Sequence, residues 1–179
     1  MPRTTTDSKS RLLIRVATQK DWPSFIAAVR ASRPLHAGWV SPPKTRKQFN
    51  GYLKRISSGD HYGFLLIDKA TNGLIGVINL NNIIRASFRN SFLGYYCFSP
   101  FAGKGLMREG LLLVLRFAFR ELRLHRLEAN IQPDNHPSIA LVRGCGFVRE
   151  GYSRRYLKVC GRWCDHERWA LLAEDWLQP

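Results

Sequence analysis

The fold of this chain is decided at Ala102-Gly103-Lys104-Gly105-Leu106-Met107-Arg108-Glu109, a run that joins a strand-like segment to a long helical pattern. Two glycines separated by one residue let backbone N–H groups approach a ligand closely, and the following helix directs the positive end of its dipole to the same place. The run therefore predicts a backbone cradle for a ligand that carries a pyrophosphate, with no need for an anion-binding side chain.

The same run excludes two common nucleotide-binding motifs. It lacks the longer spacing and the Lys-Ser/Thr ending of a nucleoside-triphosphate loop, and it lacks the third glycine of the dinucleotide fingerprint. Two glycines before a helix also occur in plain turns, so the cradle needs support from other residues. Downstream, Asn135-His136-Pro137-Ser138 begins a second, short helical run that ends at Gly144.

Strand-like and helix-like patterns alternate along the whole chain in the order β-α-α-β-β-β-α-β-α-β-β. The first helix begins at a capping box of Thr18 and Asp21, and the segment from Pro34 to Pro43 is predicted as a loop. Hairpin turns are expected at Asn72-Gly73 and at Gly161. The predicted strands cover residues 12–16, 62–67, 74–80, 92–98, 125–132, 147–159 and 162–172.

Several short motifs together resemble the GNAT acetyltransferase superfamily, and within it the branch that acetylates the N-termini of ribosomal proteins. The matching pieces are Leu93-Gly94-Tyr95-Tyr96, Gly103 to Met107 with Glu109, Arg126-Leu127-Glu128-Ala129, Asn135 with Ser138, Gly146-Phe147 with Glu150-Gly151, and Gly161 to Asp165. Ala102 departs from the Gln or Arg that usually opens the superfamily loop, whereas Met107 is what this branch carries. Neither difference removes a backbone donor.

The resemblance implies an α/β (α+β layered) GNAT fold. Its central sheet is mixed, mostly antiparallel and twisted, with about seven strands that splay in the middle and about four helices that flank them. A single acetyltransferase domain is expected over residues 11–179, because a chain of 179 residues with 45% apolar content suits one domain. The polar residues 1–10 are expected to be disordered.

The resemblance also implies acetyl-CoA as cosubstrate, with its pantetheine arm in the gap between strands 92–98 and 125–132. The opened strands would leave backbone groups free to pair with the amides of that arm. A backbone N–H near Cys97 or Phe98 would meet the thioester oxygen. The other expected cofactor-binding residues are Gly103, Lys104, Gly105, Leu106, Met107, Arg108, Asn135 and Ser138. Asn135 also suits a helix cap, and the two roles can coexist.

The catalytic residues are expected to be few. By similarity to the branch, the hydroxyl of Ser138 would protonate the leaving thiolate, and Tyr156 is the alternative donor. Glu150 and Asp165 are the candidate general bases. A strong base is less necessary for an α-amine than for lysine, because the α-amine has an ordinary pKa of about 7.7 to 8.0 against about 10.4.

The acceptor is expected to be the N-terminal amine of a ribosomal protein that begins with Ala or Ser. Leu35, Trp39 and Val40 of the Pro34–Pro43 loop, together with Tyr96, would form an apolar rim for its first residues. A net charge of +15 and a pI near 10.4 favour a polyanionic setting such as ribosomal RNA. Two alternatives stay open: an acetyltransferase for a small amine such as an aminoglycoside or polyamine, and a basic RNA-associated binding module without turnover.

The remaining features point to a cytoplasmic protein without a metal site. The N-terminus lacks the apolar segment of a secretion signal, and no stretch is long and apolar enough to cross a membrane. The four cysteines follow no paired ligand spacing, so mostly buried, reduced thiols are expected at Cys97, Cys145, Cys160 and Cys164. The sequence contains no signal for the oligomeric state.

Overall fold

Seven strands form one mixed sheet in the computed structural model of the protein, which describes residues 10–176. The order across the sheet is β1-β2-β3-β4-β5-β7-β6, and every neighbouring pair is antiparallel except β4 and β5. The strands are β1 Leu12–Val16, β2 Tyr62–Asp68, β3 Leu74–Ile84, β4 Asn90–Cys97, β5 Arg126–Ile131, β6 Val148–Val159 and β7 Arg162–Leu172. Of residues 1–10, for which disorder is predicted, residues 1–9 lie outside the described part. Ser10 is half-buried, and its hydroxyl donates to the Glu109 carboxylate at 2.8 Å.

Five α-helices cover the two faces of the sheet within residues 10–176. They are α1 Trp22–Ala31, α2 Arg33–His36, α3 Arg46–Ile56, α4 Leu106–Arg116 and α5 His136–Arg143, and wider turns extend α4 through Phe117–Glu121. The predicted capping box precedes α1, where the Thr18 N–H donates to the Asp21 carboxylate at 2.7 Å. No helix in the described residues is long and apolar enough to cross a membrane.

The segment predicted as a loop between Pro34 and Pro43 begins with a helical turn, α2. Pro34 occupies the first turn of that helix, where its missing N–H leaves no intrahelical bond unmade. Gly38 then adopts a positive φ of 83°. The prolines were therefore correct markers of an irregular segment, but they did not exclude a short helix at its start.

Side chains alternate between the two faces of the sheet along each strand, and the buried ones form two core clusters. One cluster packs α4 and α5 against the sheet through Leu93, Leu127 and Trp169. The other packs α1 and α3 against the opposite face through Phe25, Phe49 and Tyr96. Successive side chains of a strand point to opposite faces, so the neighbouring residues Tyr95 and Tyr96 of β4 belong to different sides of the molecule.

The sheet opens between β4 and β5, as the resemblance implied. These parallel strands pair over four residues only, from Asn90 with Arg126 to Leu93 with Ala129. Beyond that point, Gly94 to Cys97 pair with β3, and Asn130 and Ile131 pair with β7. The gap between the two strand ends therefore exposes backbone edges at the centre of the sheet.

Both predicted hairpin turns are present, whereas the cysteines differ from expectation. Asn72 and Gly161 adopt positive φ values of 56° and 85° at the two turns. Cys145 is buried, but Cys160 is exposed and the other two thiols are half-buried. All four are free, and Cys160 lies in the β6–β7 turn, where side chains face outward.

Candidate active site

The glycine run forms an open turn directly before α4. Gly103 and Gly105 have φ values of 75° and 74°, a region that side chains rarely adopt. A Cβ added at Gly103 would meet no atom within 4 Å, and one at Gly105 would meet only the Arg11 guanidinium at 4.0 Å. The space in front of these backbone atoms is free for a ligand.

The start of α4 leaves backbone donors available at this turn. The N–H groups of Arg108 and Glu109 donate to the Gly105 carbonyl at 3.1 and 3.3 Å. Among the described residues, no backbone carbonyl accepts from the N–H groups of residues 103–107, which lie at the positive end of the helix dipole. This arrangement could hold a pyrophosphate, and Lys104 is exposed beside it with its ammonium 5.7 Å from the Phe101 ring.

Two side chains fix the first turn of α4 to neighbouring segments. The Glu109 carboxylate accepts from the Arg11 guanidinium at 3.0 Å and from the Ser10 hydroxyl at 2.8 Å. The Arg108 guanidinium donates to the Gly144 carbonyl at the end of α5 at 3.1 Å. The cradle is thus held between the residues just before β1 and the end of α5. The Met107 sulfur faces Gly76 of β3.

Only one of the two expected oxyanion donors faces the gap. The Phe98 N–H donates to the Ile75 carbonyl of β3 at 2.8 Å, so it is not available. Because backbone groups alternate in direction along an antiparallel pair, the N–H and C=O of Cys97 point away from β3 and toward the gap. Within the pair proposed from the sequence, the geometry therefore favours Cys97 over Phe98.

Asn135 and Ser138 lie together at the start of α5, on the α4–α5 side of the gap. The Asn135 side-chain oxygen accepts from the Ser138 N–H at 3.3 Å, which is the cap expected from the sequence. The amide nitrogen of Asn135 remains a donor for a ligand carbonyl. The cap therefore leaves half of the Asn135 side chain for cofactor binding.

The Ser138 hydroxyl has a partner that the sequence did not reveal. A hydrogen bond of 2.6 Å joins Ser138 Oγ to the Tyr95 hydroxyl, and the same Tyr95 hydroxyl lies 3.3 Å from the Ser138 carbonyl. Burial raises the pKa of Tyr95, so this hydroxyl stays protonated at neutral pH. The opposite orientations of Tyr95 and Tyr96 along β4 were the one available signal for this contact.

A short segment crosses the α1–α3 side of the gap. His36 Nε2 donates to the Cys97 carbonyl at the end of β4 at 2.8 Å, and the Gln132 side chain donates to the Gly38 carbonyl at 3.1 Å. Residues 36–38 therefore connect the two strand ends that diverge at the gap. We refer to residues 36–38 as the strap. His36 was missed as a site residue because it sits in the predicted loop.

His36, the first residue of the strap, is buried and neutral. Burial lowers its pKa, and its ring packs against Tyr96 with centroids 5.3 Å apart. Within the described residues its Nδ1 has no hydrogen-bond partner. The Cys97 carbonyl can only accept, which places the proton on Nε2 and leaves Nδ1 as an acceptor.

The predicted acceptor residues surround this strap, although not all of them form a rim. Leu35 and Trp39 are 41% and 38% exposed, as expected for a rim. Val40 packs against the α1–α3 core cluster, and Tyr96 is buried between His36 and Phe98. The exposed apolar surface is therefore smaller than the sequence suggested.

The two candidate bases are engaged elsewhere. Both oxygens of Glu150 accept from the Arg126 guanidinium, which lowers the pKa of Glu150 and places it at the closed end of the β4–β5 pair. Asp165 accepts from the Tyr152 hydroxyl at 2.6 Å and from the Arg155 N–H at 2.7 Å. The structure thus gives Glu150 and Asp165 structural partners rather than positions at the gap.

Tyr156, the alternative acid, belongs to the outer hairpin of β6 and β7. Its ring is 37% exposed and lies 6.1 Å from the ring of His166. His166 faces the same side of the sheet as Ala170, opposite to Trp169 and the α4–α5 cluster. Ser138 and Tyr156 therefore lie on different faces of the sheet, and Ser138 shares its face with the glycine turn.

These features define an acyltransferase of the splayed-sheet class, and the comparisons agree. The family model described as an acetyltransferase (GNAT) domain matches residues 11–148, and the chain belongs to that family. GNAT acetyltransferases use acetyl-CoA as acyl donor. The open glycine turn and the free strand edges fit such a cosubstrate, because both offer unpaired backbone groups.

The relatives of this chain include enzymes named for a ribosomal protein and an enzyme named for spermidine. The chain is 40% identical over 118 residues to the ribosomal protein uS5-alanine N-acetyltransferase of Escherichia coli (strain K12), a match that spans 66% of this chain and 61% of that enzyme. It is 26% identical over 174 residues to the spermidine N(1)-acetyltransferase of Vibrio cholerae, spanning 94% and 96%. The crystal structure of the ribosomal-protein-S5-alanine acetyltransferase from Vibrio fischeri superposes with a TM-score of 0.85 at 25% identity, covering 99% of this chain and 100% of that chain.

Proposed function

We propose that this acetyltransferase modifies the N-terminal α-amine of a protein, specifically of a ribosomal protein that begins with Ala or Ser. The observation that carries the proposal is the charge on the α1–α3 side of the sheet. We call this the acceptor side, because the strap and the predicted acceptor residues lie there. Residues 22–59, which include α1, α2, the strap and α3, contain no Asp or Glu. Their seven cationic residues are Arg30, Arg33, Lys44, Arg46, Lys47, Lys54 and Arg55.

This charge distribution disfavours a polyamine or aminoglycoside acceptor. Such substrates carry several positive charges, and they need carboxylates that offset the cost of bringing like charges together. Within the strap, neutral His36 packs against the neutral ring of Tyr96. The acidic side chains nearest the central strands, Glu128 and Glu150, are paired with Arg126. A polypeptide N-terminus brings one amine and a chain of variable charge, so it suits this side better.

The proton chemistry also suits an α-amine. About a tenth of α-amines with an ordinary pKa near 8 are neutral at pH 7, so the nucleophile needs no strong base. Glu128 and Glu150 both contact the Arg126 guanidinium, and Glu167 contacts Arg149 and the Trp169 indole. We infer that water carries away the amine proton. A lysine or polyamine nitrogen, with a much higher pKa, would need a dedicated base.

We infer that Ser138 provides a proton for the leaving sulfur. Acetyl-CoA supplies a thioester, whose acyl carbon accepts the amine and whose sulfur leaves as a thiolate. The Ser138 hydroxyl would hold a proton for that sulfur, and Tyr95 would orient the hydroxyl through their 2.6 Å hydrogen bond. The Cys97 N–H would stabilise negative charge on the thioester oxygen, and Asn135 would hold an amide of the pantetheine arm.

The basic surface supports an encounter on or near ribosomal RNA, which would place the enzyme in the cytoplasm. Attraction to phosphates weakens as salt screens the charges and as counterions compete. We therefore expect acetylation of ribosomal particles to fall steeply between about 50 and 200 mM salt, while acetylation of a free Ala-initiated peptide changes little.

Thioester consumption tests the proposal. Short peptides that begin with Ala, Ser or Met serve as acceptors, with spermidine and an aminoglycoside as controls and with a salt series for each substrate. Faster turnover of the Ala and Ser peptides supports the N-terminal function, whereas faster turnover of spermidine overturns it. Equal salt dependence for particles and peptides would mean that the basic surface is only solvated.

A further inference from the structure

We propose that a groove between residues 41–44 and α3 binds the acceptor chain just beyond its N-terminal residue and selects an acidic side chain there. The groove has a volume of about 520 Å³, which suits a short peptide segment. Its walls include Pro43, Gln48 and Gly51, and its charged side chains are Lys44 and Arg55. This proposal rests on the proposed function, because only a polypeptide acceptor continues beyond its amine.

The floor of the groove is buried and packs against β3, which pairs with β4 beside the gap. Tyr52 lines the groove, and its hydroxyl donates to the Asn79 side-chain oxygen at 2.9 Å. Asn79 pairs with Gly94, the first residue of β4 beyond the last β4–β5 pair. Residues 41–44 follow the strap along the chain, after the exposed Trp39 and the half-buried Val40. A peptide whose amine enters the gap beside the strap would therefore continue over this surface into the groove.

The outer wall of the groove also continues toward the strap and the β6–β7 hairpin. Ser41 lines the groove and contacts Cys160 of that hairpin at 3.3 Å. The groove, the strap and the hairpin turn thus form one continuous surface on the acceptor side. A substrate chain on this surface would pass Lys44 and Arg55 within its first few residues.

The two groove cations lack anionic partners. Within the described residues, neither Lys44 nor Arg55 forms an ion pair, and the Arg55 guanidinium lies 5.7 Å from the centroid of the Tyr52 ring. The absence of Asp and Glu from residues 22–59 leaves their field unopposed locally. A carboxylate on the substrate would complete the pairing, whereas a Lys or Arg there would be repelled.

This preference would separate acceptors that share the same first residue. Two acceptors with the same N-terminal residue can differ in the charge of the residues that follow it. Specificity would come from repulsion of basic N-termini as well as from attraction of acidic ones.

The test compares peptides and two charge-matched double variants. The peptides share an Ala N-terminus and differ only by Glu or Gln at their third and fourth positions. For the wild type, we expect kcat/KM to be about fivefold higher for the Glu peptide at low salt, with the difference lost at high salt. Lys44→Gln with Arg55→Gln should abolish the preference and leave the Gln peptide within about twofold of wild type.

The control is Lys47→Gln with Lys54→Gln, which removes the same charge from exposed positions of α3 outside the groove. It should keep the preference for Glu. If both double variants lose the preference equally, the effect belongs to the overall charge and the groove assignment is wrong. If neither peptide is preferred but both double variants weaken acetylation of ribosomal particles, the cations serve RNA instead. Failure of all peptides as acceptors would instead reject the proposed function.

Discussion

Replacing Ser138 by Ala is expected to lower kcat by about 10² or more, with little change in the affinity for acetyl-CoA. The substitution removes the hydroxyl that would hold the proton for the leaving thiolate. It keeps the Ser138 N–H, which donates to the side-chain oxygen of the N-cap residue Asn135, so the start of α5 should persist. Steady-state rates with an Ala-initiated peptide, together with calorimetric affinities, measure the two quantities separately.

Tyr95 provides the control for this result. Tyr95→Phe keeps the ring between β4 and α5 and removes only the hydroxyl that contacts Ser138 Oγ. We expect a smaller loss of kcat, and the double variant should be no slower than Ser138→Ala alone, because the two groups act as one unit. A Ser138→Ala rate within about twofold of wild type would pass the acid role to Tyr156 or to water.

Replacing Gly105 by Val should weaken acetyl-CoA binding tenfold or more. Its Cβ would point into the open space before the free N–H groups of α4, where the pyrophosphate is expected. Lys104→Ala should cost less, because the cradle consists of backbone donors. Isothermal titration calorimetry with CoA measures both effects.

The control for backbone strain is Gly59→Val. Gly59 has a φ of 94° and open space around its Cβ, similar to the 74° of Gly105, but it lies in the loop after α3. Both variants should lose similar stability from the unfavourable φ. Only Gly105→Val should lose CoA affinity, and equal CoA affinity in Gly105→Val and wild type would refute the cradle.

Much of this site could be predicted because its signals are local in sequence. The glycine turn at 103–105 and the Asn135 cap each depend on residues within one turn of a helix. The motif order then identified the fold and, with it, the gap between β4 and β5. The same reasoning located Ser138 at the start of α5.

The rest depended on contacts between distant segments. Tyr95 and Ser138 are separated by 43 residues, and their hydrogen bond exists only because α5 packs on that face of β4. The contact of the candidate base Glu150 with Arg126 depends on the strand order β5-β7-β6, which the sequence does not show. His36 could not be predicted as a site residue, because Pro34 is typical of loops as well as of the first turn of a helix.

The most direct measurement of the central claim is the position of the acetyl group on a peptide that offers both kinds of amine. An Ala-initiated peptide with one internal lysine is incubated with the enzyme and acetyl-CoA, and tandem mass spectrometry then locates the added group. Spermidine at equal concentration competes in the same reaction. We expect the acetyl group on the α-nitrogen alone, with the peptide consumed faster than spermidine. Acetylation of the lysine side chain, or preferential consumption of spermidine, would contradict an N-terminal acetyltransferase.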